Sequence, residues 1–343
     1  MKKKVLVTGV SGFVGQHCAV ELLKHGYHVK GSLRDLSKGD KIKEAISKVV
    51  DPKDQLEFCI LDLTKDEGWE EAMKGCEFLL HVASPFIFKQ TDDENELIKP
   101  AVDGTLRALK AAQKSEVKRV VLTSSITAMS GHMYSGEFTP NDWTDLSDKN
   151  LSTYTRSKTI AEKAAWDFYN NQKTGHKIEL VVINPGGITG PTLTNNLEGT
   201  SMDTLVQLIT GKMSMIPDVS FPMVDVRDVA ALHVQALTNE SANGKRFIAA
   251  SKQPVHYMDI AKMLKNNGYD KVSTKKAPLF LLKMIGFVNK EVKALLTLIG
   301  KHLSADNSQT ISVFNWEPMS MEKSALDMAK SVEIALNKKY SKG

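Results

Sequence analysis

Cysteine is scarce in this 343-residue chain. Cys18, Cys59 and Cys76 are the only three, an odd number, and none stands in a C-x-x-C spacing or beside a cluster of histidines. A disulfide framework and a thiolate metal centre are thereby excluded, and the three read as buried free thiols of a reducing cytoplasm with no metal. Long apolar runs are missing too. The greasiest stretch, 278–303, is interrupted by Lys283, Lys290, Glu291 and Lys293, so it cannot span a bilayer. The opening MKKKVLVTG ends its apolar run at Thr8 and Gly9, short of a signal-peptide hydrophobic region.

Charge of one sign is not concentrated either. The 45 Lys and Arg against 40 Asp and Glu leave +5, spread along the chain apart from Met1–Lys4 and a Lys-rich C-terminus. No basic stripe interleaved with aromatics appears, which excludes nucleic acid as a partner. With 42% hydrophobic and 25% charged residues, the usage is that of an ordinary soluble globular protein.

What the chain does have is a glycine turn at its start. VLVTGVSGFVGQH, residues 5–17, spaces Gly9, Gly12 and Gly15 as G-x-x-G-x-x-G between an apolar strand and a helix. In a βαβ unit such a turn lets backbone N–H groups approach a pyrophosphate that the positive helix end stabilises. Gly9 permits the tight turn, Gly12 the close approach and Gly15 the packing of helix on strand. Strand and helix patterns then alternate through VLTSS near residue 125, followed by a helix at 152–175, a strand at IELVVINP and a last short strand at KRFIAA. This alternation predicts an α/β fold, a doubly wound parallel Rossmann sheet. The predicted dinucleotide-binding domain is 1–183, completed by 224–250. Residues 184–223 and 251–343 are predicted to form a smaller, irregular substrate-binding lobe.

The second strand ends VKGSLRD, with Ser32 and Leu33 where an acidic residue would hold the ribose hydroxyls of NAD. Arg34 follows, with Lys38 and Lys41 behind it. A guanidinium grips a 2′-phosphate that a carboxylate would repel, which favours NADP; the bland alternative makes Arg34 a surface charge and turns Asp35 inward. Later, TYTRSK places Tyr154 and Lys158 one helical turn apart on one face, while LTSSI leaves the fifth strand at its carboxyl end.

Taken together, TGVSGFVG, SLRD, LDLT, HVASP, VLTSS, YTRSK, NPGGITGP, VDVRDVA and NWEPMS stand in the order of a known family. The chain resembles the extended short-chain dehydrogenase/reductases of the NAD-dependent epimerase/dehydratase group, and within them the dihydroflavonol-reductase-like carbonyl reductases. The resemblance implies an NADPH-dependent reductase of aldehydes or ketones, reversible as an alcohol dehydrogenase. It makes Tyr154 the general acid, Lys158 its electrostatic partner and ribose ligand, and Ser125, rather than Ser124, the donor to the substrate carbonyl. A depressed phenol pKa is expected at Tyr154.

The implied cofactor set comprises Gly9, Gly12, Phe13, Val14, Gly15, Arg34, Lys41, Asp62, Leu63, Val82, Ala83, Ser84, Thr123, Tyr154, Lys158, Pro185 and Ile188. Asp62 could instead cap a helix and Pro185 merely end a strand. Phe86, Met129 and Met202 are candidates for an apolar substrate pocket, with Ile188 and Met215 beside them and core packing as the alternative. His81 and His233 read as structural. The loop ITAMSG after the serine lacks the asparagine of the flavonoid reductases, which favours a broader carbonyl substrate. A nucleotide-sugar epimerase or dehydratase on the same scaffold and a non-catalytic NADP sensor are the competing readings. The expected protein is a cytoplasmic monomer or homodimer acting on a small molecule.

Overall fold

Alternation along the first strand decides where the core lies. In β1 (Lys4–Thr8), Val5 and Val7 point to one face of a sheet and Leu6 to the other, and both faces are buried. The computed structural model describes residues 3–84, 93–173, 175–194, 197, 200–287, 292 and 295–340. Its strands continue with β2 (His28–Leu33), β3 (Leu56–Ile60), β4 (Phe78–His81), β5 (Arg119–Thr123), β6 (Ser135–Phe138), β7 (Glu179–Pro185) and β8 (Gly187–Thr189). The rest are β9 (Ser220–Phe221), β10 (Met223–Asp225), β11 (Lys245–Ala249), β12 (Val255–His256) and β13 (His302–Ala305).

Seven of these form one parallel sheet in the order β11-β7-β5-β4-β1-β2-β3. The order reverses where β4 pairs with β1, so the crevice at the carboxyl ends of these two strands is the topological switch point. The predicted doubly wound Rossmann sheet is therefore present.

The helices are α1 (Phe13–Lys24), α2 (Gly39–Ser47), α3 (Trp69–Met73), α4 (Asn95–Lys114), α5 (Thr127–Ser130) and α6 (Thr153–Asn170). They continue as α7 (Thr200–Ile209), α8 (Val226–Ala236), α9 (Tyr257–Asn266), α10 (Leu279–Gly286), α11 (Ser308–Phe314) and α12 (Met321–Tyr340). On one face of the sheet Leu22 of α1, Ile46 of α2 and Leu232 of α8 pack on Val7, Leu80, Val121 and Ile183. On the other, Trp69 of α3, Leu109 of α4 and Ala165 of α6 pack on Leu6, Leu79, Val120 and Val182. Truncating such a fully buried leucine to alanine costs about 2–5 kcal/mol, which is why each strand tolerates little change on either side.

A third apolar cluster gathers Leu205 and Leu208 of α7, Ile260 and Leu264 of α9, and Met328 and Val332 of α12. Polar contacts join it to α8 and to the β8–β10 pair: half-buried Arg227 at the start of α8 bridges Asp225 and Asp327, and the buried Thr189 and Ser324 hydroxyls meet at 2.7 Å. Three two-stranded pairs, β8 with β10, β9 with β12 and β6 with β13, fasten this part. Two elements are shorter than their patterns predict. The helix at 152–175 ends at Asn170, and α3 spans five residues because Gly68 and Gly75, both at positive φ, bound it. Among the described residues no helix is long and apolar enough to cross a membrane.

Candidate active site

The glycine turn is built as its spacing requires. Gly9 adopts φ +69°, and a Cβ there would lie 2.9 Å from the Ala83 side chain. A Cβ on Gly15 would sit 2.3 Å from the Gly9 carbonyl oxygen, inside any permitted contact, so α1 packs this closely on the turn only with glycine. Gly12 is the N-cap of α1 and no side chain caps the helix. The first amides of α1, those of Phe13, Val14 and Gly15, thus lie at an uncapped positive helix end suited to an anion. Phe13 and Val14 are half-buried, Phe13 meeting His17 edge-on. Across the switch point the Ala83 amide donates to the Thr8 hydroxyl at 3.0 Å, and Thr8 contacts His81 Nδ1 at 3.1 Å. Val82, Ala83 and Ser84 are half-buried beside the turn.

At the end of β2 the buried Ser32 hydroxyl accepts a hydrogen bond from the Gly9 amide at 3.1 Å. A hydroxyl therefore occupies the position next to the turn that a ribose-binding acid would take. Arg34, Lys38 and Lys41 are exposed just beyond it. Asp35 is exposed rather than turned inward: its carboxylate accepts from the Ser37 amide at 2.9 Å and caps a short 3-10 turn. Asp62, after β3, is likewise engaged in a turn, accepting from the Thr64 amide at 2.9 Å and hydroxyl at 2.8 Å, and these bonds hold its pKa below the usual carboxylate range. Asp62 thus closes a local turn and caps no helix, since the N-cap of α3 is Gly68. Leu63 borders a cleft shared with His81, Ala83, Ser84, Thr123 and Lys158.

The candidate reacting groups converge at the carboxyl ends of β4, β5 and β7. Helix α6 begins where the Ser152 hydroxyl accepts from the Thr155 amide at 3.1 Å, and this cap sets Tyr154 in its first turn and Lys158 in its second. Tyr154 and Ser125 are hydrogen-bonded through their hydroxyls. Ser125 Oγ also accepts from the Thr127 amide at 3.3 Å and hydroxyl at 3.2 Å, which leaves its own proton to donate elsewhere. Lys158 Nζ approaches the Thr123 carbonyl at 3.5 Å. The neighbouring Ser124 points away, its hydroxyl donating to Glu162.

Electrostatics differ from the sequence expectation at one point. Burial pushes the Tyr154 phenol up, outweighing the Ser125 hydrogen bond that pulls it down. The phenol is thus raised in this structure, not depressed. Lys158 gives way instead: burial lowers its ammonium to about 8, opposed by the negative charge of Glu162. His81 is driven by burial to about 3 and His233 to about 4, so both are neutral near pH 7. His233 bridges Thr123 Oγ1 at 2.7 Å and the Val229 carbonyl at 2.7 Å, and its place is structural, as is that of His81.

Pro185 is buried at the end of β7, where its carbonyl accepts from the Ile126 amide at 3.0 Å, and Ile188 on β8 is half-buried. Met129 is fully buried in a cluster with Phe138, Ile248 and Leu303, and Met202 is buried in the cluster of α7, α9 and α12. Both pack as core. Met215 is half-buried, and Phe86 lies outside the described residues. Sequence reasoning passed over Glu162, Asn184 and Arg246, which form a buried polar network directly behind Tyr154 and Lys158. The available signal was the spacing Tyr154, Lys158, Glu162, three residues each one turn apart. Among the described residues no group of His, Cys, Asp and Glu could hold a metal ion.

A parallel sheet of this order, a glycine cradle at its switch point and a Tyr–Lys pair beside it define a dinucleotide-dependent oxidoreductase. Residues 6–279 match the model of the 3-beta hydroxysteroid dehydrogenase/isomerase family, and the chain belongs to this family, within the extended short-chain dehydrogenase/reductases. It is 35% identical to cinnamoyl-CoA reductase CAD2 of Medicago truncatula over 271 residues, 76% of this chain and 79% of that one. It is 32% identical to the NADPH-dependent methylglyoxal reductase GRE2 of Saccharomyces cerevisiae over 267 residues, 72% and 77% of the two chains. The crystal structure of Gre2 from Candida albicans in complex with NADPH superposes with a TM-score of 0.79 at 26% identity, covering 97% of this chain and 99% of that one.

Proposed function

We propose that the protein is an NADPH-dependent carbonyl reductase, reversible as an alcohol dehydrogenase, that acts on small aldehydes or ketones. The observation that carries this reading is the hydrogen bond between Tyr154 and Ser125, with Lys158 one turn along the same helix and the glycine cradle across the switch point. Relatives named as NADPH-dependent methylglyoxal reductases and as a cinnamoyl-CoA reductase support the reaction class.

The residues fit the cofactor. The cradle at Gly9, Gly12 and Gly15 is closed to any Cβ at its two tightest points, the α1 amides suit a pyrophosphate, and Ser32 leaves the ribose end without a carboxylate. Arg34 and Lys41 are exposed cations for a 2′-phosphate. Lys158, Thr123, Ala83 and Ser84 share one cleft beside the cradle, and with Pro185 and Ile188 they are proposed to border the rest of the cofactor. When bound, NADPH supplies the hydride. Ser125 turns its proton from Tyr154 to the substrate carbonyl oxygen and so fixes it beside Tyr154, and Tyr154 delivers its own proton as negative charge builds on that oxygen. The Lys158 ammonium offsets the phenolate left behind, which a buried site would otherwise disfavour.

The lobe built on α7, α9 and α12 is proposed to face the substrate, on the division 184–223 and 251–343 against the remainder, in a cytoplasmic protein. A nucleotide-sugar epimerase is disfavoured by Ser32, since such enzymes commonly hold NAD through an acid at this position. Incubation with NADPH and a panel of aldehydes, diketones and ketoesters tests the proposal. Stoichiometric loss of NADPH absorbance supports a reductase, whereas no net loss with any simple carbonyl defeats it.

A further inference from the structure

Glu162 is 1% exposed, yet it carries a carboxylate into the layer between α6 and the sheet. Four donors meet it. Ser124 Oγ and Asn184 Nδ2 donate to Oε2, the latter at 2.7 Å, while Arg246 Nε at 2.5 Å and Trp166 Nε1 at 3.3 Å donate to Oε1. The same Asn184 amide also donates to the Ser125 carbonyl at 3.2 Å, so one nitrogen ties the carboxylate to the backbone of the serine that meets Tyr154. Arg246 in turn lies over the Trp143 ring at 3.7 Å and donates to the Pro140 and Asp142 carbonyls at 2.9 and 2.7 Å.

Such a network is costly if it serves packing alone. Two ions are taken out of water, and Asn184 Oδ1 and Arg246 Nη2 are left buried without a hydrogen-bond partner. An apolar side chain at 162 would fill the space more cheaply. What an apolar residue could not supply is a negative charge one helical turn beyond Lys158, in the wall of the same cleft.

Among the described residues, the polar and titratable groups that share the cleft with Lys158 are Glu162 on its own helix, His81 on β4, which is neutral, Ser84, the Thr123 carbonyl at 3.5 Å and Ser124 after β5 and, from α4, the uncharged Thr105. Glu162 is the one acidic side chain among them. We propose that Glu162 is a positioning residue of the reaction: through its charge it keeps Lys158 protonated at working pH, and through Ser124 and Asn184 it fixes the Ser125 turn against Tyr154. The inference rests on the reading of Tyr154, Lys158 and Ser125 as the reacting set. Its direction agrees with the opposing influences of burial and Glu162 on the Lys158 ammonium.

The test is competitive acylation of the cofactor-free protein with acetic anhydride across a pH series, with Lys158 followed by peptide mass spectrometry. In Glu162→Gln the midpoint of Lys158 reactivity falls by about one pH unit relative to the unsubstituted chain, and the alkaline limb of carbonyl reduction moves down with it. A folded Glu162→Gln whose midpoint stays in place overturns the proposal. Because the single substitution strands the Arg246 charge, the double variant Glu162→Gln, Arg246→Gln carries the same test should the single one not fold. Its midpoint also falls, since the nearer charge is the one removed, and an unchanged midpoint again overturns the proposal. The acylation readout needs neither NADPH nor substrate. A chain inactive with every carbonyl would defeat the reductase reading, while Glu162 would still stand or fall on the Lys158 midpoint.

Discussion

The Ser32 hydroxyl accepts the Gly9 amide proton at 3.1 Å, so the end of the second strand and the apex of the glycine turn are joined by an uncharged group. This link bears on cofactor choice. Ser32→Asp would set a carboxylate against the turn beside the place of a 2′-phosphate, and the repulsion predicts a weaker NADPH complex and a relatively stronger NADH complex. Arg34→Ala should raise the KM for NADPH far more than that for NADH. Steady-state KM values for both coenzymes check the pair, and equal effects on the two would argue against a 2′-phosphate contact.

Gly15→Ala places a methyl 2.3 Å from the Gly9 carbonyl oxygen, where only backbone can yield. Overpacking of this kind costs about 1–3 kcal/mol, and the displaced turn should lose pyrophosphate affinity as well. Thermal melting and NADPH titration by fluorescence should both register the change. Unaltered affinity would mean that the α1 amides do not meet the phosphates.

Stability should fall on mild acidification. His17 and His233 are driven by burial to about 4 and His81 to about 3, whereas each titrates at 6.5 when unfolded. The unfolded chain therefore binds more protons than the native one across this window, and unfolding free energy must decrease as pH drops below 6.5. Three such groups give a slope of up to about 4 kcal/mol per pH unit until the native histidines themselves protonate. Urea unfolding at pH 7.5, 6 and 5 measures this, and a flat profile would show that these rings are charged in the native state or reach water.

The sheet was legible because its signals are local and periodic. Alternating apolar residues, the glycine turn and the serine cap of α6 each act within a few residues. The pairing of β6 with β13 was not legible: SGEF has exposed polar positions, and its partner lies more than 160 residues away. In the site, the choice of Ser125 over Ser124 agrees with the hydroxyl directions, one toward Tyr154 and one toward Glu162. The raised phenol of the cofactor-free chain was not legible, because burial, which no spacing reveals, outweighs its hydrogen bond. Met129 and Met202 illustrate the same limit, since an adaptable side chain suits a pocket and a core equally well until its neighbours are known. Glu162, Asn184 and Arg246 come from α6, β7 and β11, and only the folded arrangement brings their charges and amides together.

If Lys158 belongs to the reacting set, the pH dependence of the reaction follows its titration. With its ammonium lowered to about 8, carbonyl reduction should decline as pH rises past that value, because a neutral amine no longer offsets the phenolate. Initial rates from pH 6 to 10 check this, and a rate that holds constant to pH 10 would remove Lys158 from the reacting set.

The most direct measurement is kcat and NADPH binding in Tyr154→Phe, which deletes one hydroxyl and leaves the ring in place. If that phenol is the proton donor, kcat for a reducible carbonyl falls by about 10²–10⁴-fold while the NADPH dissociation constant stays near that of the unsubstituted chain. A variant that turns over at close to the original rate would contradict the account.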